Sequence, residues 1–162
     1  MSKIILVSIY LFVCIYSHAQ MTTQNTRSKT QTEAQKNLTA VHLINKAFRT
    51  GDTSKINTVV SPNFIDHSDR GDIGRDSLKL MIIGMYKTTK DMKTEVIKEF
   101  ADKDWVFALM RYSGVSHGEI GIPDGPYEMH TMEVVRFKNG LIVEHWSYME
   151  LRDIAKFIPQ MK

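Results

Sequence analysis

RFKNGLIVEHWSYME, Arg136 to Glu150, consists of two alternating apolar and polar runs joined by Asn139-Gly140. An Asn-Gly pair supplies the two positive-φ residues that a two-residue hairpin turn requires, so the stretch reads as the tip of a β-hairpin. One strand is expected over Tyr127 to Lys138 and the next over Leu141 to Glu150. With a side-chain period of two, Leu141, Val143, His145, Ser147 and Met149 share one face. Ile142, Glu144, Trp146, Tyr148 and Glu150 share the other. On the partner strand Thr131, Glu133, Val135 and Phe137 lie opposite Met132, Val134 and Arg136.

Two more strands precede the hairpin. Trp105 to His117 alternates Phe107, Leu109 and Val115 against Ala108, Met110 and Tyr112, and Met92 to Ala101 forms the strand before it. Upstream of Met92 the periodicity changes. From Glu33 onward Leu38, Val41, Ile44 and Phe48 recur at spacings of three and four, which makes one apolar stripe on a helix. Gly51 is expected to stop that helix, and Asp52 to cap a short second one carrying Ile56, Val59 and Val60, ended by Ser61-Pro62. A short extended piece, Phe64 to His67, leads into the polar turn SDRGDIG. Asp76 or Ser77 is expected to cap a third helix from Leu78 to about Thr88, with Leu78, Ile82, Met85 and Tyr86 near one face. A closing helical segment runs from Leu151 to Met161. Helices first and a meander of long antiparallel strands afterward is an α+β order, with a curved sheet folded over the helices and a cavity between them.

The N-terminus has a different character. Lys3 is followed by the apolar run Ile4 to Tyr16, and Ser17-His18-Ala19 places small residues before Gln20. This is the layout of a secretory signal peptide over 1–19, too short to stay in a bilayer as a spanning helix. Residues 20–32, polar and rich in Thr and Gln, read as a disordered leader, and 33–162 as a single domain. Cleavage near Ala19 implies export to the periplasm or the medium and removes Cys14, the only cysteine. The mature chain then has no disulfide, thiol nucleophile or cysteine metal ligand. Without Lys3 the 21 basic residues become 20 against 18 acidic ones. These are interspersed, which points to neither nucleic acid nor a membrane surface as a partner.

Three stretches carry a family resemblance. GDTSKINTVVSPNFIDHS (Gly51 to Ser68) is similar to a small helix, a Pro-containing break and an aromatic-x-Asp-His element. KDMKTEVIKEFADKDWVFALMRYSGVSHGE (Lys90 to Glu119) looks like two central strands ending in a Gly-x-x-His-Gly-Glu-like turn. RFKNGLIVEHWSYME resembles a last hairpin with a Gly-x-Ile-x-Glu-His-Trp run. In this order they resemble the SnoaL-like polyketide cyclase and ester cyclase family of the NTF2-like superfamily, over roughly residues 34 to 161. The resemblance implies an α+β cone: N-terminal helices against a strongly curved antiparallel sheet that encloses a pocket. It also implies a homodimer, a small hydrophobic molecule as partner, and aldol-type ring closure with neither metal nor organic cofactor.

In the family pattern the histidine of the Glu-His-Trp run looks into the pocket. That implies His145 and Glu133 in one cavity, Ser147 beside them and His67 arriving from the edge, with Tyr112, Thr131 and Met149 lining it. An aldol cyclisation needs a base to remove a proton next to a carbonyl and an acid for the developing alkoxide. A His–Glu pair in a water-poor pocket suits both tasks. Such a pair also occurs in purely structural networks, where the two groups satisfy each other. One departure limits the transfer: Ser147 stands where the cyclases keep an acid/base aspartate, and an unactivated hydroxyl is no base near neutral pH.

Other residues have plainer readings. His117, His130 and His145 with Glu133 follow no established metal-ligand spacing. Trp146 faces away from His145 as packing or a dimer contact, and Arg136 with Glu144 reads as a cross-strand ion pair. Seven methionines between Met81 and Met149 fill the core or line the pocket adaptably. Two functions stand from these readings: a cofactor-independent cyclase, lyase or isomerase with His145, Glu133 and His67 as catalytic residues, or a non-catalytic binder of a small hydrophobic molecule. A module that uses the outer sheet face for partners is a third.

Overall fold

The computed structural model describes residues 33–68, 71–118 and 121–157. The expected signal peptide, the leader and the end of the closing helix lie outside them. Helix α1 covers 33–50 and buries Asn37, Ala40, Val41, Asn45 and Ala47, with Leu38, Ile44 and Phe48 packed beside them. Asn37 keeps its buried amide satisfied by donating to the Lys103 carbonyl at 3.0 Å, which ties the helix to the far end of the sheet. Gly51 ends α1 as expected: at φ 69° its N–H reaches the Ala47 carbonyl at 2.8 Å. A side chain there would also meet the Tyr86 ring at 2.6 Å.

Helix α2 is only Ile56–Val59. Asp52 does not cap it: its carboxylate accepts the Ser54 N–H at 2.9 Å in a local turn, and Lys55 holds the N-cap position without a side-chain bond. Ser61-Pro62 does not break the chain either. Strand β1 is Val60–His67 and runs through both residues. β1 lies at the sheet edge, where a proline costs no ladder bond, and its register against its neighbour is irregular between Val60 and Ile65. Helix α3, Arg75–Thr88, starts earlier than expected, with Gly74 at the N-cap and no side-chain cap. Asp76 sits inside the first turn instead, where it favours the helix dipole and pairs with Lys79 at 3.0 Å.

Strands β2 (Thr89–Ala101), β3 (Trp105–Ser116), β4 (Gly125–Lys138) and β5 (Leu141–Met149) follow, then helix α4 (Leu151–Phe157). The sheet order is β1-β5-β4-β3-β2, antiparallel except that β1 runs parallel to β5. The result is the expected α+β architecture, helices against a curved, unclosed sheet. Asn139 and Gly140 both have positive φ, 54° and 76°, as the tight hairpin requires. The main core joins Ala40, Val41, Ile56, Leu78 and Ile82 of the helices to Val106, Val135, Phe137 and Ile142 of the sheet. Ile56 and Ile82 are fully enclosed, so truncating either to alanine costs about 2–5 kcal/mol.

The hairpin contains one irregularity that decides the site. Phe137 pairs with Ile142 but Arg136 pairs with Glu144, so Val143 is an extra residue in β5. A regular two-residue hairpin would set His145 opposite Val134, on the outer face. The bulge sets it opposite Val135, on the inner face with Glu133, and turns Trp146 outward. Strict alternation over all of β5 therefore fails. Ile142, buried against Phe137, belongs on His145's side of the sheet.

Candidate functional site

On the inner face beyond the bulge, β1, β4 and β5 bring three ionisable side chains into one line. His145 Nδ1 lies 2.7 Å from Asp66 Oδ1, and its Nε2 lies 2.7 Å from Glu133 Oε2. Asp66 and His145 are register partners in the parallel β1–β5 pair, so backbone pairing itself sets this contact. Glu133 Oε1 accepts the hydroxyls of Thr131 and, at 3.1 Å, Ser147, which pairs across from it on β5. The Tyr112 phenol lies against the same carboxylate. Burial first, then the Glu133 charge and hydrogen bond, hold its pKa well above the usual tyrosine value.

Both ring nitrogens of His145 face carboxylate oxygens, and a neutral imidazole has one N–H to give. Each contact needs a proton, so the trio holds one more than a neutral ring supplies. Burial opposes charge on His145, but the hydrogen bonds to Asp66 and Glu133 and their negative charges outweigh it, and its pKa is raised to about 10. The extra proton therefore rests on the ring at neutral pH. Among the described residues neither Asp66 nor Glu133 pairs with a lysine or arginine. The His145 side chain keeps 24% of its surface, Asp66 and Glu133 much less, and Ser147 is exposed. The network is therefore reached from solvent at its Ser147 and His145 end.

A smaller apolar cluster borders it: Ile122, Tyr127 and Met129, with Met85, Tyr112 and Met149 packed against them. The structure thus gathers Glu133, His145, Ser147, Thr131 and Tyr112, with Met149 alongside. His67 is not among them. It is register partner to Trp146 and stacks on that indole at 4.6 Å, with Nδ1 3.1 Å from Asp72. Alternation along β1 sends Asp66 inward and His67 outward, so the histidine expected at the pocket edge belongs to the opposite face. Asp66, the residue overlooked, gives no local signal, because its partner lies 79 positions away.

The remaining histidines are apart from this network. His130 is held by Asp153 of α4, and His117 is exposed at the end of β3. Among the described residues no group of three or more His, Cys, Asp or Glu side chains is arranged to hold a metal ion. On the outer face Trp146 begins a run of rings: Trp105 stacks on it at 6.0 Å, Phe107 on Trp105 at 6.2 Å, and Phe100 on Phe107 at 5.3 Å. Phe100 and Tyr148 are each 59% exposed there. Arg136 and Glu144, register partners, form the expected ion pair beside the turn.

Residues 38–156 match the model of the SnoaL-like polyketide cyclase family. No curated protein matches the sequence. Solved structures with the same fold include AclR from Streptomyces galilaeus, 22% identical with a TM-score of 0.61 over 78% of this chain and 88% of that one. A SnoaL-like polyketide cyclase from Agrobacterium tumefaciens is 13% identical with a TM-score of 0.62, over 74% of this chain and 95% of that one. An LEH-like epoxide hydrolase from M. tuberculosis is 13% identical with a TM-score of 0.63, over 78% and 91%. At these identities the likeness is one of fold.

Proposed function

Because the chain belongs to the SnoaL-like polyketide cyclase family, we propose that it is a cofactor-independent cyclase, lyase or isomerase acting on a small carbonyl compound. One observation carries this reading: the 2.7 Å contact between His145 Nε2 and Glu133 Oε2, next to a methionine- and tyrosine-rich wall. Glu133 is the proton acceptor and His145, protonated at neutral pH, the donor. Asp66 orients the ring through Nδ1 and balances its charge. Ser147 holds the position of the family's aspartate and keeps Glu133 in place by a hydrogen bond. The apolar body of the compound lies on Met85, Met129, Met149 and Tyr112.

A second reading, binding without turnover, is favoured by the saturation of Glu133. Three hydroxyls and an imidazolium surround that carboxylate, so its lone pairs are already engaged before any substrate proton arrives. Mass spectrometry of small molecules released from protein purified from its native host separates the two readings. Wild type is expected to release an apolar compound that His145→Ala does not retain. Conversion of that compound by wild type and not by Glu133→Gln supports the enzyme; its return unchanged supports the binder. Identical small-molecule profiles for wild type and His145→Ala would sink both.

The working form in this proposal is exported after cleavage near Ala19 and pairs with a second copy through the outer aromatic face. The mass of the secreted protein tests the first part. Native mass spectrometry of Phe100→Asp, expected to be monomeric, tests the second.

A further inference from the structure

The charge on the inner-face trio follows from geometry alone. Two carboxylates and a ring with a proton in each of its two N···O contacts sum to −1, wherever along those contacts each proton sits. With no lysine or arginine paired to it among the described residues, this charge is not cancelled locally. The groups that meet solvent are Ser147 and, in part, His145; the Ser147 hydroxyl hydrogen is already given to Glu133, and both His145 ring nitrogens are taken by the two carboxylates. What Ser147 offers outward is its lone pairs. The Thr131 hydroxyl is likewise committed to Glu133 and buried. The polar end of the site therefore accepts hydrogen bonds, and its own hydroxyls are committed; the other wall is apolar except for the Tyr127 phenol, which is enclosed beside Thr89 and not exposed to a ligand.

We propose that the ligand of this site is an uncharged hydroxylated compound, an alcohol or phenol on an apolar body, that donates its O–H to Ser147 Oγ, and that carboxylate ligands are refused. This rests on the inner face being the ligand site and adds which chemistry that site accepts. A donor O–H extends the chain Ser147–Glu133–His145–Asp66 by one bond without disturbing it. A ligand carboxylate would bring a second negative charge toward Glu133 in a partly dry setting and would find no exposed hydroxyl donor at that end, which costs both repulsion and an unmade bond. An ammonium would be drawn to the negative end but would have to shed its hydration beside the apolar wall, whereas a hydroxyl makes the same bond to Ser147 at a much smaller desolvation cost.

Three probes with one aromatic body separate these effects: 2-naphthol, 2-methoxynaphthalene and 2-naphthoate, each titrated at pH 7 and followed by ligand fluorescence. The naphthol is expected to bind about tenfold tighter than its methyl ether, the worth of one hydrogen bond, and the naphthoate at least about tenfold weaker than the ether. Ser147→Ala should bring the naphthol to the level of the ether and leave the ether unchanged. Glu133→Gln, which removes the net charge, should strengthen the naphthoate. Equal binding of naphthol and ether, a naphthoate that binds tightest, or a Ser147→Ala change that weakens all three alike overturns this inference and leaves the ligand site standing. Binding of none of the three overturns both.

Discussion

Two histidines of the sheet, His145 on its inner face and His130 on β4's other side, each hold a buried aspartate. At His130 the partner is Asp153 of α4, whose side chain is 1% exposed. It accepts the His130 backbone N–H at 2.8 Å, the ring Nδ1 at 3.1 Å, and the Lys156 ammonium. Asp153 and Lys156 cancel in charge, and a lysine and a backbone donor are groups that move little chemistry. At His145 the donors are hydroxyls and one imidazolium, the second carboxylate is left uncancelled, and Ser147 opens the network to solvent. The same pair of residue types thus fastens a helix in one place and builds a reactive-looking surface in the other. The difference lies in whether the cations of the cluster match its carboxylates in number: one for one at Asp153, one for two at His145.

The largest way to break this comparison is His145→Gln. Without the imidazolium, Asp66 and Glu133 are left facing each other across an amide, and the loss is about 3 kcal/mol at pH 6 by chemical denaturation. Its pH dependence sharpens the point. His145 has a folded pKa raised above the unfolded value, so its contribution is complete below about pH 6.5 and fades as pH rises toward about 10. The gap between wild type and His145→Gln should therefore close from pH 6 to pH 10. A gap that stays constant means the ring is not charged and the trio's negative charge has been misassigned.

Asp153→Ala comes next. It strands the His130 N–H and ring beneath α4, at about 1–3 kcal/mol; the figure is smaller because Lys156 is mostly exposed and no second carboxylate is left facing an unpaired charge. The sign with pH is opposite. The hydrogen bond from Lys156, opposed by burial and reinforced by His130, lowers the Asp153 pKa. Its stabilisation is present above about pH 4 and lost as pH falls through the folded value. Wild type and Asp153→Ala should converge in strong acid, and the variant should keep wild-type affinity at the inner-face site. Weakened ligand binding in Asp153→Ala would mean the two clusters are not separate.

How much of this was legible in the sequence depends on how far apart the partners lie. Gly51, the Asn139-Gly140 turn and the helical stripe of α1 are local signals, and each is where the pattern put it. The helix caps were misjudged at Asp52 and Asp76 because a short polar side chain can serve a turn or the first helical turn as well as an N-cap. The family pattern pairs Glu133 with His145 and the two side chains do meet, but simple alternation from the turn sends His145 outward. Nothing in LIVEHW announces that Val143 is the extra residue. Asp66 was hidden for a related reason: only the parallel pairing of β1 with β5 makes it a neighbour of His145.

That pairing leaves His67 as the smallest and cleanest test. Asp66 and His67 are adjacent in sequence but serve opposite faces, one bonded to His145 and the other stacked on Trp146. His67→Ala removes a ring stack and a contact to a largely exposed Asp72, so it should cost only about 0.5–1.5 kcal/mol. Because the sheet backbone stands between His67 and the trio, ligand affinity and the alkaline stability profile should match wild type. Asp66→Asn, one residue earlier, should lower the pKa of the His145 ring, read by its NMR titration, since a carboxylate becomes an amide with less hold on the proton. If His67→Ala shifts that titration as much as Asp66→Asn does, then the alternation that assigns the two residues to different faces is wrong, and His67 returns to the site.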